Sequence, residues 1–353
     1  MSTPASELDY TKARKRSSRP KKIVLALALI VLVIFVTYGY LAKPSPPQQS
    51  ITLAIVGFTN SAWPVFIAHD MGIFGKYGLN VTIISLGSGR DLITALGAGQ
   101  VDVGWTGPDV LIGAKLEGFD GVEIGASETT RPFYLVTRPN ITTVQQLKGT
   151  VGGVTTYGSG LVFLTTVAML DKLGLDPAKD VTLISMPLST SVRFAALQAG
   201  KIDFTLTFDA PTARKLGLNV LLYLPDMIDN LWGSGYTVTT KYLDTHRPLL
   251  KTFIMALGES TKFFFDNKEK SKTVLGKWLQ VTDLDSLESD YQDMVPVMLK
   301  IPEISLDQMK GVLQLMAPYT PGAANADPSI FIDSSIVREL ETEGFYRVLW
   351  SGT

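Results

Sequence analysis

The sequence predicts an α/β protein of two similar lobes in tandem, preceded by a single transmembrane helix. Three observations predict it. They are an uncharged apolar run near the N-terminus, an internal duplication at an offset of about 100 residues, and an alternation of β-branched strands with helices inside each copy.

The apolar run covers residues 23–42, IVLALALIVLVIFVTYGYLA, without a charge. At about 1.5 Å per residue it reaches roughly 30 Å, the thickness of a hydrocarbon core. Residues 1–22 carry Lys12, Arg14, Lys15, Arg16, Arg19, Lys21 and Lys22 against Glu7 and Asp9. This basic cluster places the N-terminus in the cytoplasm and the rest outside. A cleaved signal peptide is the competing reading. Cleavage after Ala42 would put bulky Tyr40 where a small residue is wanted, so an uncleaved anchor is favoured. Residues 43–50, KPSPPQQS, form a stiff proline-rich spacer.

Composition bounds the remainder. At 353 residues the chain is long enough for two or three folded units, and 46% apolar with 18% charged residues is a packed globular balance. The net charge of -1 conceals a basic head and an acidic body. An acidic body without a basic stripe argues against nucleic acid as a partner. The absence of cysteine excludes disulfides, thiolate metal sites, a thiol nucleophile and a lipidated-cysteine anchor. His69 and His246 are the only histidines and lack acids at metal-ligand spacing, so no metal or cofactor is expected.

The duplication appears twice in the same order. A-L-G-A-G-Q-V-D begins at Ala95 and A-L-Q-A-G-K-I-D at Ala196; V-T-I-I-S-L begins at Val81 and V-T-L-I-S-M at Val181. In the first copy the pattern predicts strands at 51–56, 81–86 and 101–105 and helices at 62–74 and 91–98. In the second it predicts strands at 151–155, 181–186 and 202–208 and helices at 160–173 and 191–199. Strand–helix alternation implies a parallel sheet in each lobe.

In open α/β sheets ligands bind beyond the carboxyl ends of the strands. The loops there are small and hydroxyl-bearing, and they open helices, whose unpaired N–H groups hold polar or anionic groups. Candidate ligand-binding residues are Phe58, Thr59, Asn60 and Trp63 after the first strand, then Ser88, Gly89 and Arg90, then Trp105, Thr106 and Gly107. The second copy supplies Thr156, Tyr157, Gly158 and Ser159, then Ser191 and Arg193, then Phe208 and Asp209, with Trp232 near the return to lobe one. The aromatics suit a ring-bearing solute. Arg90 and Arg193 suit an anion, whereas Asp109 and Asp209 suit an amine or a ring N–H. The same loops also serve as ordinary caps and turns.

Gly72-Ile73-Phe74, Gly78-Leu79-Asn80-Val81, the two A-L-x-A-G-x-[VI]-D elements, Leu147-Lys148-Gly149 with Val151-Gly152 and Gly158-Ser159, and Phe331-Ile332-Asp333 carry a family resemblance. Over about residues 51–345 the chain resembles type II periplasmic solute-binding proteins of ATP-driven (ABC) importers. The similar branch serves nitrate, sulfonates, taurine and thiamine pyrimidine precursors. The resemblance implies lobe one at 51–134 plus 238–353, lobe two at 135–237, and a two-strand hinge near 133–137 and 236–239. It implies a non-enzymatic monomer that closes on a small polar solute, heterocyclic or sulfonate-type, and delivers it to ABC permease and ATPase subunits. Two alternatives remain: an enzyme on the same fold, of which the pyrimidine-making type needs a cysteine-rich segment absent here, and a ligand-presenting sensor ectodomain.

Overall fold

The computed structural model describes residues 49–158, 160–187, 189–228 and 233–351. The expected cytoplasmic segment, membrane helix and most of the spacer therefore lie outside the described residues, as do Ser159 and Trp232. Among the described residues no helix is long and apolar enough to cross a membrane.

The first sheet is built from β1 (Gln49–Val56), β2 (Leu79–Leu86), β3 (Val103–Thr106) and β4 (Gly121–Ala126). Its helices are α1 (Trp63–Asp70), α2 (Ile73–Lys76), α3 (Gly89–Gly97) and α4 (Pro108–Leu116). The chain then crosses through residues 127–133 to the second sheet. That sheet comprises β5 (Tyr134–Thr137), β6 (Val151–Val154), β7 (Thr182–Ser185), β8 (Phe204–Thr207) and β9 (Asn219–Tyr223), with α5 (Leu161–Lys172), α6 (Thr190–Gln198) and α7 (Ala210–Lys215). A second crossing returns the chain to the first sheet as β10 (Gly235–Thr239).

The two sheets have one plan. The first runs β2-β1-β3-β10-β4 and the second β7-β6-β8-β5-β9. In each, four strands run in one direction and the strand arriving from a crossing inserts antiparallel before the last. The duplicated aspartates explain part of this equivalence. Asp102 Oδ2 accepts the N–H of Thr52 at 2.7 Å, and Asp203 Oδ2 accepts the N–H of Val151 at 2.8 Å. Asp102 ties the approach to β3 to β1, and Asp203 ties the approach to β8 to β6.

Several sequence expectations shift. The helix expected at 62–74 is two helices, because Gly72 adopts φ +68° between them, a conformation glycine takes without a Cβ clash. Gln49 and Ser50, expected in the spacer, already pair with Leu79 and Asn80 in the sheet. Tyr134, expected in lobe one, pairs with Thr207 in the second sheet, and residues 235–237, expected in lobe two, lie in the first.

The remaining chain is helical: α8 (Thr240–Asp266), α9 (Lys268–Leu279), α10 (Leu284–Met294), α11 (Leu306–Met316), α12 (Ser335–Thr342) and α13 (Phe345–Trp350). Phe253, Ile254, Leu257 and Phe264 of α8 close the core over Leu53, Trp63, Phe66 and Tyr236 of lobe one. Each such side chain contributes roughly 1.5–3 kcal/mol on burial. α10 places Leu287, Tyr291 and Met294 in that core. α11 places Met309, Val312, Leu313 and Met316 in a second core that joins Leu111 and Ile112 of α4 to Val162, Phe163 and Leu164 of α5.

Candidate functional site

Strand ends from both sheets meet around a residue of the first crossing, Arg131. Its Nη1 donates to Ser61 Oγ at 2.9 Å, and its Nη2 donates to Ser234 Oγ in the second crossing. Its Nε lies 3.3 Å from Glu128 Oε1, an ion pair without hydrogen-bond geometry. The guanidinium lies 5.5 Å from the Trp105 ring of lobe one and 5.9 Å from the Phe208 ring of lobe two, within cation–π range. Phe208 in turn stacks on Phe133 at 4.3 Å. Ser127 accepts from Trp105 Nε1 at 3.2 Å and donates to the Glu128 carboxylate. Beside this centre Gly160 N–H, at the start of α5 in lobe two, donates to Asp109 Oδ2 of lobe one at 3.0 Å.

Burial governs the electrostatics. Burial pushes Glu128 up to about 7, and Arg131 with the hydroxyls of Ser127 and Ser61 opposes that rise. Glu123 is pushed well above the usual carboxylate range by burial first and then by Asp109 and Glu128. Burial also raises Asp109, against the backbone N–H groups and Arg131 that favour its anion. Burial lowers Arg131, which Glu128 and Asp109 oppose. A guanidinium stays protonated in proteins. Among the described residues no group of three or more histidines or acids is arranged to hold a metal ion.

The structure brings only some of the expected residues together. Trp105, Phe208 and Asp109 meet at Arg131, with buried Thr106 and Gly107 on the same strand end. Thr59 lies on the adjoining turn with a buried hydroxyl that lacks a partner, and Asn60 opens the short turn Asn60–Ala62. Trp63 is core, packed edge-on against Phe264 at 5.1 Å. Phe58 is partly exposed and packs edge-on against Phe66 and Trp278.

Others serve their own lobe. Ser88 caps α3 through Asp91 N–H, Gly89 packs against Val110, and Arg90 is exposed. Thr156, Tyr157 and Ser191 are exposed, and Gly158 is half-buried at φ +81°. Arg193 is buried within lobe two and donates to the carbonyls of Pro187 and Leu206, because that is where α6 rests on β8. It is therefore an internal tie of lobe two. Asp209 caps α7 through Thr212 N–H and accepts from Ser286 Oγ of α10 at 3.2 Å.

Sequence reasoning missed Ser61, Glu123, Glu128, Arg131 and Ser234. The available signal was two opposite charges, Glu128 and Arg131, immediately before a strand expected to join the lobes.

Two five-stranded sheets, each completed by a strand from a crossing, with polar strand ends meeting between them, define the two-lobed periplasmic binding-protein fold. The periplasmic aliphatic sulphonate binding protein SsuA from Escherichia coli superposes with a TM-score of 0.68 at 19% identity, over 82% of this chain and 92% of that one. The periplasmic nitrate-binding protein NrtA from Synechocystis PCC 6803 gives 0.66 at 12% identity, over 85% and 90%. A protein of Brucella abortus (strain 2308), named for binding with no solute stated, is 26% identical over 250 residues, 67% of this chain and 74% of that one. The chain belongs to the NMT1/THI5-like family, whose model matches residues 59–271.

Proposed function

We propose that this chain is the extracytoplasmic solute-binding component of an ATP-driven importer. It captures a small polar solute between its lobes and presents the closed form to permease and ATPase subunits. The observation that carries this is the convergence of strand ends from both sheets on Arg131, between Trp105 and Phe208. A solute touching both lobes favours closure by its differential affinity for the closed state.

The reading assigns binding without covalent chemistry, which the binding names of similar proteins support. It also assigns a monomer, tethered through residues 23–42 with its folded part outside the membrane.

The test is a screen of the full-length chain in detergent against sulfonates, nitrate, pyrimidines and amines. Melting temperature and the distance between labels on the two lobes would be followed. One solute class should raise the melting temperature by several degrees and shorten the distance. Turnover of a solute, or no response to any class, would reject the reading.

A further inference from the structure

Resting on the solute-binding reading of the cleft, we propose that Asp109 is its specificity-determining residue. It fills the seat an oxyanion would need, so the cleft rejects oxyanions and accepts a solute that brings a cationic or N–H group.

The seat is the start of α5, a twelve-residue helix of lobe two. A helix N-terminus carries unpaired N–H groups and positive partial charge, which normally favours an anionic guest. Here Asp109 of lobe one supplies the anion, 3.0 Å from Gly160 N. Asp109 is 5% exposed. Its other oxygen packs against Gly107 so closely that a Cβ there would stand 2.5 Å away. The carboxylate is held on both sides, and a second oxyanion would have to displace it.

A separate observation concerns the neighbouring acids. Glu123 is fully buried, and neither of its carboxyl oxygens has a hydrogen-bond partner. Asp109 and Glu128 both act on it electrostatically. Buried polar groups without partners are rare and costly, and a donor brought by a guest would satisfy the lone pairs left open there.

The cations give the same answer. Arg131 is engaged by Ser61, Ser234 and Glu128. Arg193 is engaged inside lobe two, and Arg90 lies exposed on α3. Among the described residues, the centre thus holds Asp109, Glu123 and Glu128 around one arginine that is already paired. Trp105 and Phe208 line the same centre, where they already face the Arg131 guanidinium, and aromatic rings favour a cationic or heteroaromatic neighbour over an anion.

The test uses two probes with the same ring and opposite charge, benzylammonium and benzenesulfonate. Each is titrated calorimetrically into the full-length protein, wild type and Asp109→Asn. Asparagine keeps an oxygen for Gly160 N–H, and a melting curve reports whether that variant is folded. Wild type should bind benzylammonium at least about tenfold more tightly than benzenesulfonate, and Asp109→Asn should shrink that ratio by about tenfold or more.

Equal or tighter binding of benzenesulfonate by wild type would overturn the inference, as would a ratio unmoved by the substitution. A sulfonate or nitrate that closes the wild-type lobes while benzylammonium fails to bind would also overturn it, and would leave the solute-binding reading standing. Failure of every solute class in the general screen would reject that reading, and the inference with it.

Discussion

Asp102 and Asp203 make the same bond in the two lobes: each carboxylate accepts a backbone N–H from the neighbouring parallel strand, β1 or β6, at 2.7 Å and 2.8 Å. The repeated aspartate is thus an architectural residue. Replacing either by alanine leaves that N–H without its acceptor and should cost about 1–3 kcal/mol. Asp203→Ala should cost more, because Asp203 also pairs with Arg138 at 2.6 Å. Asparagine at either position should recover most of the loss. Urea denaturation of the four variants measures this, and no loss in either alanine variant would contradict it.

The same pair shows what was legible in the sequence. Local patterns repeat when each lobe solves the same folding problem, so A-L-x-A-G-x-[VI]-D marked equivalent helix ends and strand starts in both halves. The loops after those strands were equally visible as small and polar. Their fates were not, because a Ser or Gly that opens a helix reads alike whether it faces a cleft or caps its own helix. Arg193 looked like an anion ligand, and only the packing of α6 on β8 turns it inward. Glu123, Glu128 and Arg131 were invisible for a related reason. Charged residues in a strand and a short connection read as surface, and their burial depends on crossings between sheets far apart in the chain.

Arg131 satisfies groups from both crossings, so its loss should be severe. Arg131→Ala leaves Glu128 buried beside no cation and should destabilise the fold by roughly 3–5 kcal/mol. Arg131→Lys should rescue little, because one ammonium cannot reach Ser61, Ser234 and Glu128 from the positions a planar guanidinium spans. Chemical denaturation of the two variants checks this; near-wild-type stability in the lysine variant would sink it.

Glu128 sets a pH dependence. Its pKa is about 7 in the folded chain against an ordinary 4.5, with burial as the main cause. The folded state keeps a proton that the unfolded state has released. This contribution is complete below the unfolded value and is lost as pH rises through about 7. Stability should therefore fall between pH 5 and pH 8, by at most about 1.4 kcal/mol per pH unit from this one group. Glu128→Gln should flatten the fall. An unchanged slope in urea titrations across that range would refute the assignment.

Gly235 begins β10 where an added Cβ would collide with the Glu123 carboxyl and lie 2.9 Å from the Gly125 carbonyl oxygen. Gly235→Ala should cost about 1–3 kcal/mol through overpacking. A smaller loss in the double variant Gly235→Ala, Glu123→Ala would identify the carboxyl as the obstacle. Equal losses would point to the backbone.

Tyr134, the first residue of β5, donates to Asp293 Oδ1 of α10 at 2.7 Å. Tyr134→Phe should lower stability by about 1 kcal/mol and speed amide hydrogen exchange in α10. Unchanged exchange there would show that the bond does not fasten the helix.

α10 and α11 hold the second lobe by opposite chemistry. α10 meets it through polar groups: Asp283 and Asp285 on Lys215, Ser286 on Asp209, and Asp293 on Tyr134. α11 meets it through Met309, Val312, Leu313 and Met316. Parting the first contact hands water a set of groups it solvates well, whereas parting the second exposes hydrocarbon and carries a positive heat-capacity change. Parting the α10 contact while the α11 contact holds should therefore lack the positive heat-capacity change that exposed hydrocarbon brings.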